Sequence, residues 1–167
     1  MPRRPTPLAA IRLLVLDVDG VLTDGRLRYG PDGEREKVFH VRDGAGIKAL
    51  AAAGVTVAVI SGRESAAVAR RCEELGIREL QQGAADKGLA LAALSARLGV
   101  AARECACVGD DTPDLPMMRQ AGLAIAVSDA HAAVRRVAHR RSRLGGGAGA
   151  VREVCDWLLA AHARARA

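Results

Sequence analysis

Five aspartates fall where two apolar runs end. Leu13-Leu14-Val15-Leu16 leads into Asp17-Val18-Asp19-Gly20, and Cys105-Ala106-Cys107-Val108 leads into Gly109-Asp110-Asp111-Thr112-Pro113-Asp114. Short, continuous runs rich in branched apolar residues read as buried strands, so both groups of acids stand at strand C-termini. In an open α/β sheet those ends face a common crevice where ligands bind. Four or five carboxylates converging there would repel one another and resist ionisation. A cation is required. Hard oxygen donors in an open loop, with no histidine among them, suit Mg²⁺ better than zinc. A calcium loop of the EF-hand type shares the D-x-D-G start but needs a bidentate Glu at its twelfth position, where this chain has Arg28.

Two more groups bring complementary chemistry. Ser61-Gly62-Arg63 follows the apolar run Val55–Ile60, and Lys87 follows Asp86 at the start of a helical stripe. A hydroxyl, backbone amides, an ammonium and a divalent cation together make a phosphate pocket. Taken singly, each is ordinary: Asp17 and Asp19 would cap a turn, Ser61 would cap a helix, and Lys87 would be a solvated first-turn lysine. Their joint placement at strand and helix ends carries the reading.

The elements that must position them alternate. Strand-like runs recur at Leu13–Leu16, Val55–Ile60, Cys105–Val108 and Leu123–Val127, with helical stripes between them. Ile47 and Leu50 precede Gly54. Val68, Cys72 and Leu75 precede Gly76, and Leu91, Leu94 and Leu98 precede Gly99. Asp86 is the expected N-cap of that third helix, and a last helix is expected over about 150–162. This alternation predicts an α/β fold with a mostly parallel sheet and helices on both faces. The gap between Asp24 and Asp43, GRLRYGPDGEREKVFHVR, is too long for an ordinary βα loop. Pro31-Asp32-Gly33 marks a turn between Arg26–Tyr29 and Lys37–Val41, so a β-hairpin over about 25–41 is expected. Such a polar hairpin is not stable alone; it folds onto the domain or pairs with copies of itself.

The 167 residues, half of them hydrophobic, suffice for one domain. The sequence pI near 9.8 and net charge of +6 raise the question of nucleic acid, but one Trp, one Tyr and one Phe leave little to stack on bases. An anionic small substrate fits the charge equally. Part of the excess lies at the ends, Pro2-Arg3-Arg4-Pro5 and Arg164-Ala165-Arg166, read as solvated tails. No run approaches a membrane span and residues 1–10 lack a signal-peptide core, so a cytoplasmic protein is expected. The four cysteines include no C-x-x-C pair and read as core thiols.

Over nearly the whole chain, four motifs in order resemble the haloacid dehalogenase superfamily of phosphatases: Asp17-Val18-Asp19-Gly20-Val21-Leu22-Thr23, Ser61, Lys87, and Gly109-Asp110-Asp111 with Asp114. The resemblance implies a Rossmann-like sheet and assigns roles. Asp17 would be the nucleophile, forming an aspartyl phosphate. Asp19 would act as acid and then base, kept protonated by acidic surroundings. Mg²⁺ would be held by Asp17, the backbone carbonyl of Asp19 and Asp110. Asp111 and Asp114 would orient metal waters and Lys87, while Thr23, Ser61, Gly62 and Lys87 would surround the phosphoryl oxygens. The second aspartate excludes the dehalogenase branch.

With only a hairpin after the first motif and one helix and a short strand between the second and third, the chain resembles capless members. Lys37–Ile47, Ile60–Arg63 and Gly145–Asp156 bring it nearest to the branch that dephosphorylates 3-deoxy-D-manno-octulosonate 8-phosphate. That resemblance implies a phosphorylated sugar acid as substrate, no nucleic acid or membrane partner, and a homotetramer with the hairpin at its interface. Arg63 and Arg42 are candidates for the substrate carboxylate, since guanidinium grips carboxylate in a fork. A nine-carbon sugar acid 9-phosphate is the alternative substrate; the enzymes for it tend to have an acidic residue near the position of Arg63. A nucleic-acid end phosphatase is a weaker one. The glycine-rich stretch before the last helix is either a loop or an arm toward an active site.

Overall fold

Six strands, all parallel, form the central sheet in the order β5-β4-β1-β6-β7-β8. A computed structural model describes residues 4–167, so Pro2 and Arg3 of the expected N-terminal tail lie outside the described residues. The strands are β1 (Leu13–Leu16), β4 (Thr56–Ile60), β5 (Glu79–Gln81), β6 (Cys105–Gly109), β7 (Leu123–Ala126) and β8 (Arg140–Arg141). Every residue of β1, β6 and β7 is buried. That is the reason these segments read as unbroken apolar runs, since a parallel sheet covered on both faces leaves no side for polar residues. Expected and observed strands agree within a residue or two. The two-residue β8 was not anticipated, because Arg140 and Arg141 are exposed and carry no apolar signal.

The helices are α1 (Val41–Ala52), α2 (Ala66–Leu75), α3 (Lys87–Leu98), α4 (Leu115–Gln120), α5 (Ala132–Val137) and α6 (Ala150–Arg166). Asp86 caps α3 as expected, its carboxylate accepting from the amides of Gly88 at 2.7 Å and Leu89 at 3.0 Å. Gly76 and Gly99 close α2 and α3 in the left-handed conformation. α1 packs on α6, and α3 on α4. From β1 the chain builds outward through β4 to β5, then returns to the other side of β1 for β6. Right-handed crossovers therefore put α1 and α2 on one face and α3, α4 and α5 on the other. This reversal makes the carboxyl ends of β1 and β6 the switch point of the sheet, where ligands bind in such folds. The four cysteines are buried and free, as core thiols.

The hairpin exists, with its second arm displaced. Its strands are β2 (Arg28–Gly30) and β3 (Gly33–Glu36), joined through Pro31-Asp32 with a bulge between Arg28 and Tyr29. Lys37–His40 are not strand, and Val41 already begins α1, whose N-cap is the ring of His40. The β-branched residues that suggested a second arm instead lead the chain back to the sheet.

Candidate active site

Parallel register sets the site. Leu16 lies beside Val59 and Val108, so the next residues of β1, β4 and β6 emerge side by side. Asp17 continues the ladder, its amide donating to the Val108 carbonyl at 3.2 Å. Ser61 is anchored between the carbonyl of Gln81 and the amide of Ala84. Lys87, first residue of α3, reaches in from the opposite layer. These groups, with Asp19, Arg63 and Asp110, line a cleft of about 310 Å³.

At its base, the Lys87 ammonium donates to Asp17 Oδ1 and to Asp114 Oδ1, each at 2.6 Å. All three side chains are nine-tenths or more buried. Asp114 Oδ2 in turn accepts from the amides of Asp110 at 2.9 Å and Asp111 at 3.3 Å, which fixes the loop after β6. Burial works against the charge on Lys87, but Asp17 and Asp114 outweigh it and hold the ammonium above its usual range. Asp17 is pushed up to about 6, first by burial and then by Asp114, against the pull of Lys87. Asp110 is pushed to about 8 by burial and by the charges of Asp17, Asp114 and Asp111.

One ammonium cannot neutralise this cluster. Oxygens of Asp17, Asp110 and Asp114 lie within 4.8 Å of one another. Asp110 Oδ1 is buried with no hydrogen-bond partner, a costly state for a carboxylate oxygen. Asp114 is already committed to Lys87 and two amides, which leaves Asp17 and Asp110 to face a hard divalent cation. Gly20 permits the arrangement: its φ is +92°, and a Cβ there would come within 2.0 Å of Asp110 Oδ2.

Asp19 differs from expectation. Its neighbours are cations, not acids. Lys37 donates to Asp19 Oδ1 at 2.5 Å, and the Arg63 guanidinium lies 3.6 Å from Oδ2. Both cations also hold Glu34 of the hairpin, Lys37 at 3.1 Å and Arg63 at 2.8 Å. Burial disfavours the Glu34 charge, but these hydrogen bonds outweigh it and keep its carboxyl below the ordinary range.

The family model for haloacid dehalogenase-like hydrolases matches residues 76–143. A 3-deoxy-D-manno-octulosonate 8-phosphate phosphatase, KdsC, of Escherichia coli K12 is 47% identical over 154 residues, 92% of this chain and 82% of the relative. The chain belongs to the KdsC family. Two solved family structures superpose with a TM-score of 0.92 at 43% identity. One, from Moraxella catarrhalis, is described as the phosphatase in complex with a magnesium ion, a phosphate ion and KDO, with 95% of this chain and 91% of that chain covered. The other is a cobalt-bound form from Haemophilus influenzae, with 94% and 92% covered.

Not every residue expected at a KdsC-type site stands in the cleft of this chain. The Thr23 hydroxyl braces the loop after β1, accepting from the amides of Gly20 at 3.4 Å and Gly25 at 3.2 Å and donating to the Val18 carbonyl at 3.5 Å. It acts on loop shape rather than facing a phosphate. Asp111 lines the cleft, but its carboxylate caps the Thr112 amide at 2.7 Å instead of reaching Lys87. Arg42 is placed elsewhere: it borders a separate groove with Arg143, Arg152 and Trp157, because α1 starts beside α6 rather than beside the cleft. Ser61, Gly62 and Arg63 do line the cleft, and the Ser61 oxygen accepts from the Arg63 amide at 3.2 Å.

Sequence reasoning gave no role to Glu34, nor to Lys37, although Lys37 opens a stretch that carries the resemblance. It also left open the stretch before α6, which packs against the loop after β1. The Gly147 amide donates to the Val21 carbonyl at 3.1 Å and that of Gly146 to Asp129 at 3.0 Å. A Cβ on Gly146 would fall 1.8 Å from the Gly20 carbonyl oxygen. The glycines are what let this strap lie flat against the loop that carries Asp17 and Asp19.

Proposed function

We propose that this protein is a Mg²⁺-dependent phosphomonoesterase that converts 3-deoxy-D-manno-octulosonate 8-phosphate to the free sugar acid and phosphate. The observation that carries the reading is the buried Asp17–Lys87–Asp114 network beside the orphaned Asp110 oxygen at a sheet switch point, in a chain similar to KdsC over most of its length. A carboxylate oxygen of Asp17 attacks phosphorus, and the bond to the sugar oxygen breaks. Asp19, which must first take up a proton from solvent, gives it to the leaving oxygen. It then takes one from the water that attacks phosphorus, releasing Asp17 and inorganic phosphate. Lys87 holds Asp17 in place and offsets charge, while Ser61 and the Gly62 amide serve the phosphoryl oxygens. Mg²⁺, held by Asp17, Asp110 and the Asp19 carbonyl, supplies charge neutralisation between nucleophile and phosphoryl group when bound.

Arg63, at the rim, selects the sugar acid through its carboxylate. A charged, phosphorylated sugar acid does not cross membranes, which favours a cytoplasmic reaction, with the product a precursor of lipopolysaccharide. Among the described residues no helix is long and apolar enough to cross a membrane. A homotetramer built through the hairpin is favoured by the exposed apolar side chains Leu27, Tyr29, Val38 and Val41 on the hairpin and its return. The test is phosphate release with Mg²⁺, comparing the eight-carbon 8-phosphate with a nine-carbon sugar acid 9-phosphate and using Asp17→Asn as the blank. Strong preference for the former, absent in the variant, is the expected result. Preference for the nine-carbon ester overturns the substrate assignment, and equal turnover by Asp17→Asn overturns the mechanism.

A further inference from the structure

The metal side of the cleft is held by a closed circuit of contacts through four segments of the chain. The His131 amide donates to the Asp110 carbonyl at 2.7 Å, which ties the loop after β7 to the loop after β6. The loop after β7 also grips the stretch before α6 twice. The Ser128 amide donates to the Leu144 carbonyl at 3.2 Å, and Asp129 Oδ1 accepts from the Gly146 amide at 3.0 Å. That stretch in turn holds the loop after β1, the Gly147 amide donating to the Val21 carbonyl at 3.1 Å. Gly20 of the latter loop lies against the Asp110 carboxylate, and the circuit closes.

His131, Ser128 and Gly147 take part through backbone amides, which almost any residue would supply. Asp129 takes part through its side chain. Among the described residues it is the one side chain hydrogen-bonded to residues 145–149. Gly145 makes room for it, since a Cβ there would fall 2.9 Å from Asp129 Oδ2. Beyond this anchor the strap meets the loop after β1 backbone on backbone: a Cβ on Gly146 would fall 1.8 Å from the Gly20 carbonyl oxygen and 2.8 Å from that of Thr23. The residue before Gly20 is Asp19, whose carbonyl is assigned to Mg²⁺. A strap that lifts away therefore loosens the Asp19–Gly20 backbone and the Asp110 carboxylate together. Metal affinity depends on outer contacts of this kind, which orient the ligands without touching the ion.

We infer that Asp129 is a positioning residue for Mg²⁺: by anchoring the glycine strap it presses the loop after β1 onto Asp110 and keeps the Asp19 carbonyl and the Asp110 carboxylate in register for the ion. The inference deepens the proposed function and rests on its metal assignment, not on its substrate. Asp129 itself stands outside the lining of the cleft, so it acts only through the strap.

The experiment uses the full chain and compares Asp129→Ala, which removes the acceptor, with Asp129→Asn, which keeps an acceptor for the Gly146 amide and removes the charge. Mg²⁺ affinity is measured by titration calorimetry without substrate. Hydrolysis of p-nitrophenyl phosphate is followed against Mg²⁺ concentration, and thermal unfolding in EDTA reports the stability of the metal-free protein. Asp129→Ala is expected to weaken Mg²⁺ binding by about three- to tenfold, the worth of one hydrogen bond. The Mg²⁺ concentration for half-maximal turnover is expected to rise in proportion, with kcat recovering at saturating Mg²⁺. Asp129→Asn is expected to bind Mg²⁺ within about twofold of the wild type, because its acceptor survives.

Equal losses in the two variants would assign the effect to charge and overturn the inference. A lower melting temperature in Asp129→Ala with unchanged Mg²⁺ affinity would also overturn it, as the mark of a merely structural contact, and so would turnover that stays low at saturating Mg²⁺. If the wild type binds no Mg²⁺, the metal assignment falls and the inference with it. Wild-type binding that Asp129→Ala leaves unchanged overturns the inference alone. Failure of the substrate assignment alters neither measurement, since no sugar acid is used.

Discussion

Two networks of carboxylates and cations border the same cleft, and they are built differently. At the base, one lysine on a helix joins Asp17, at the end of β1, to Asp114, in the turn that follows β6, all buried. At the rim, Lys37 and Arg63 join Asp19 to Glu34 across a small hairpin, and Arg63 remains substantially exposed. Charges at the base are held by the sheet and cannot separate without leaving one of them unpaired in a dry interior. At the rim, Lys37 is buried, but the Arg63 guanidinium can exchange partners with solvent or ligand. The base is suited to fixed chemistry and the rim to recognition.

The largest effect that separates them is expected from Lys87→Met. Removing the ammonium leaves Asp17 and Asp114 facing each other with Asp110 nearby. Breaking a buried network from one side is expected to cost about 3–5 kcal/mol of stability, read as a lower denaturant midpoint. Phosphatase turnover is expected to fall by about two to three orders of magnitude. A larger gain in melting temperature on adding Mg²⁺ than the wild type shows would confirm that uncompensated charge is the cause.

Gly20→Ala tests the metal side of the base. The new Cβ would collide with Asp110 Oδ2 on a backbone already at positive φ. Mg²⁺ affinity by titration calorimetry is expected to weaken by about 10- to 100-fold, and unaltered affinity would show that Asp110 is not a ligand.

These base residues were the legible part of the molecule. Asp17, Asp110, Asp114 and Lys87 each follow a buried strand or a capped helix start. Once the parallel alternation is recognised, the fold leaves them no other place than a shared edge. Asp86 and the terminal glycines of α2 and α3 were equally readable, since capping is local chemistry. The rim was not. Lys37 reaches Asp19 across eighteen positions through a hairpin whose second arm was misplaced, and the stretch it opens gave no sign of which carboxylate it would meet. Arg42 erred in the other direction, because its distance from the cleft depends on how α1 packs against α6. The glycines at 145–149 signalled close approach without saying to what.

A smaller effect concerns pH. Asp17 and Asp110 ionise less readily in the fold than at the ordinary value of 3.8, at about 6 and about 8. The unfolded chain releases these protons first, so the metal-free protein loses stability as pH rises through that range. In EDTA the melting temperature is expected to fall by roughly a few degrees between about pH 5.5 and about pH 8.5, and Mg²⁺ is expected to flatten the decline. A metal-free protein that gains stability over this range would contradict the account of the base.

The smallest effect belongs to the rim. Arg63→Met removes only partly exposed contacts, so a stability change within about 1 kcal/mol is expected, whereas KM for a carboxylate-bearing substrate is expected to rise by about tenfold. A large loss of stability with unchanged KM would make Arg63 structural and erase the distinction between the two regions.

Trapping the covalent intermediate shows whether Asp17 is the nucleophile. The protein is mixed with Mg²⁺ and ³²P-labelled substrate, quenched within a single turnover, and split: one portion is mapped for acid-stable, hydroxylamine-labile protein phosphate, the other reduced with borohydride and sequenced by mass spectrometry. Label is expected on the peptide spanning Leu13–Gly25, with Asp17 reduced to homoserine and Asp19 intact. Substrate turnover with no protein-bound phosphate, or with the modification on Asp19, would contradict that assignment.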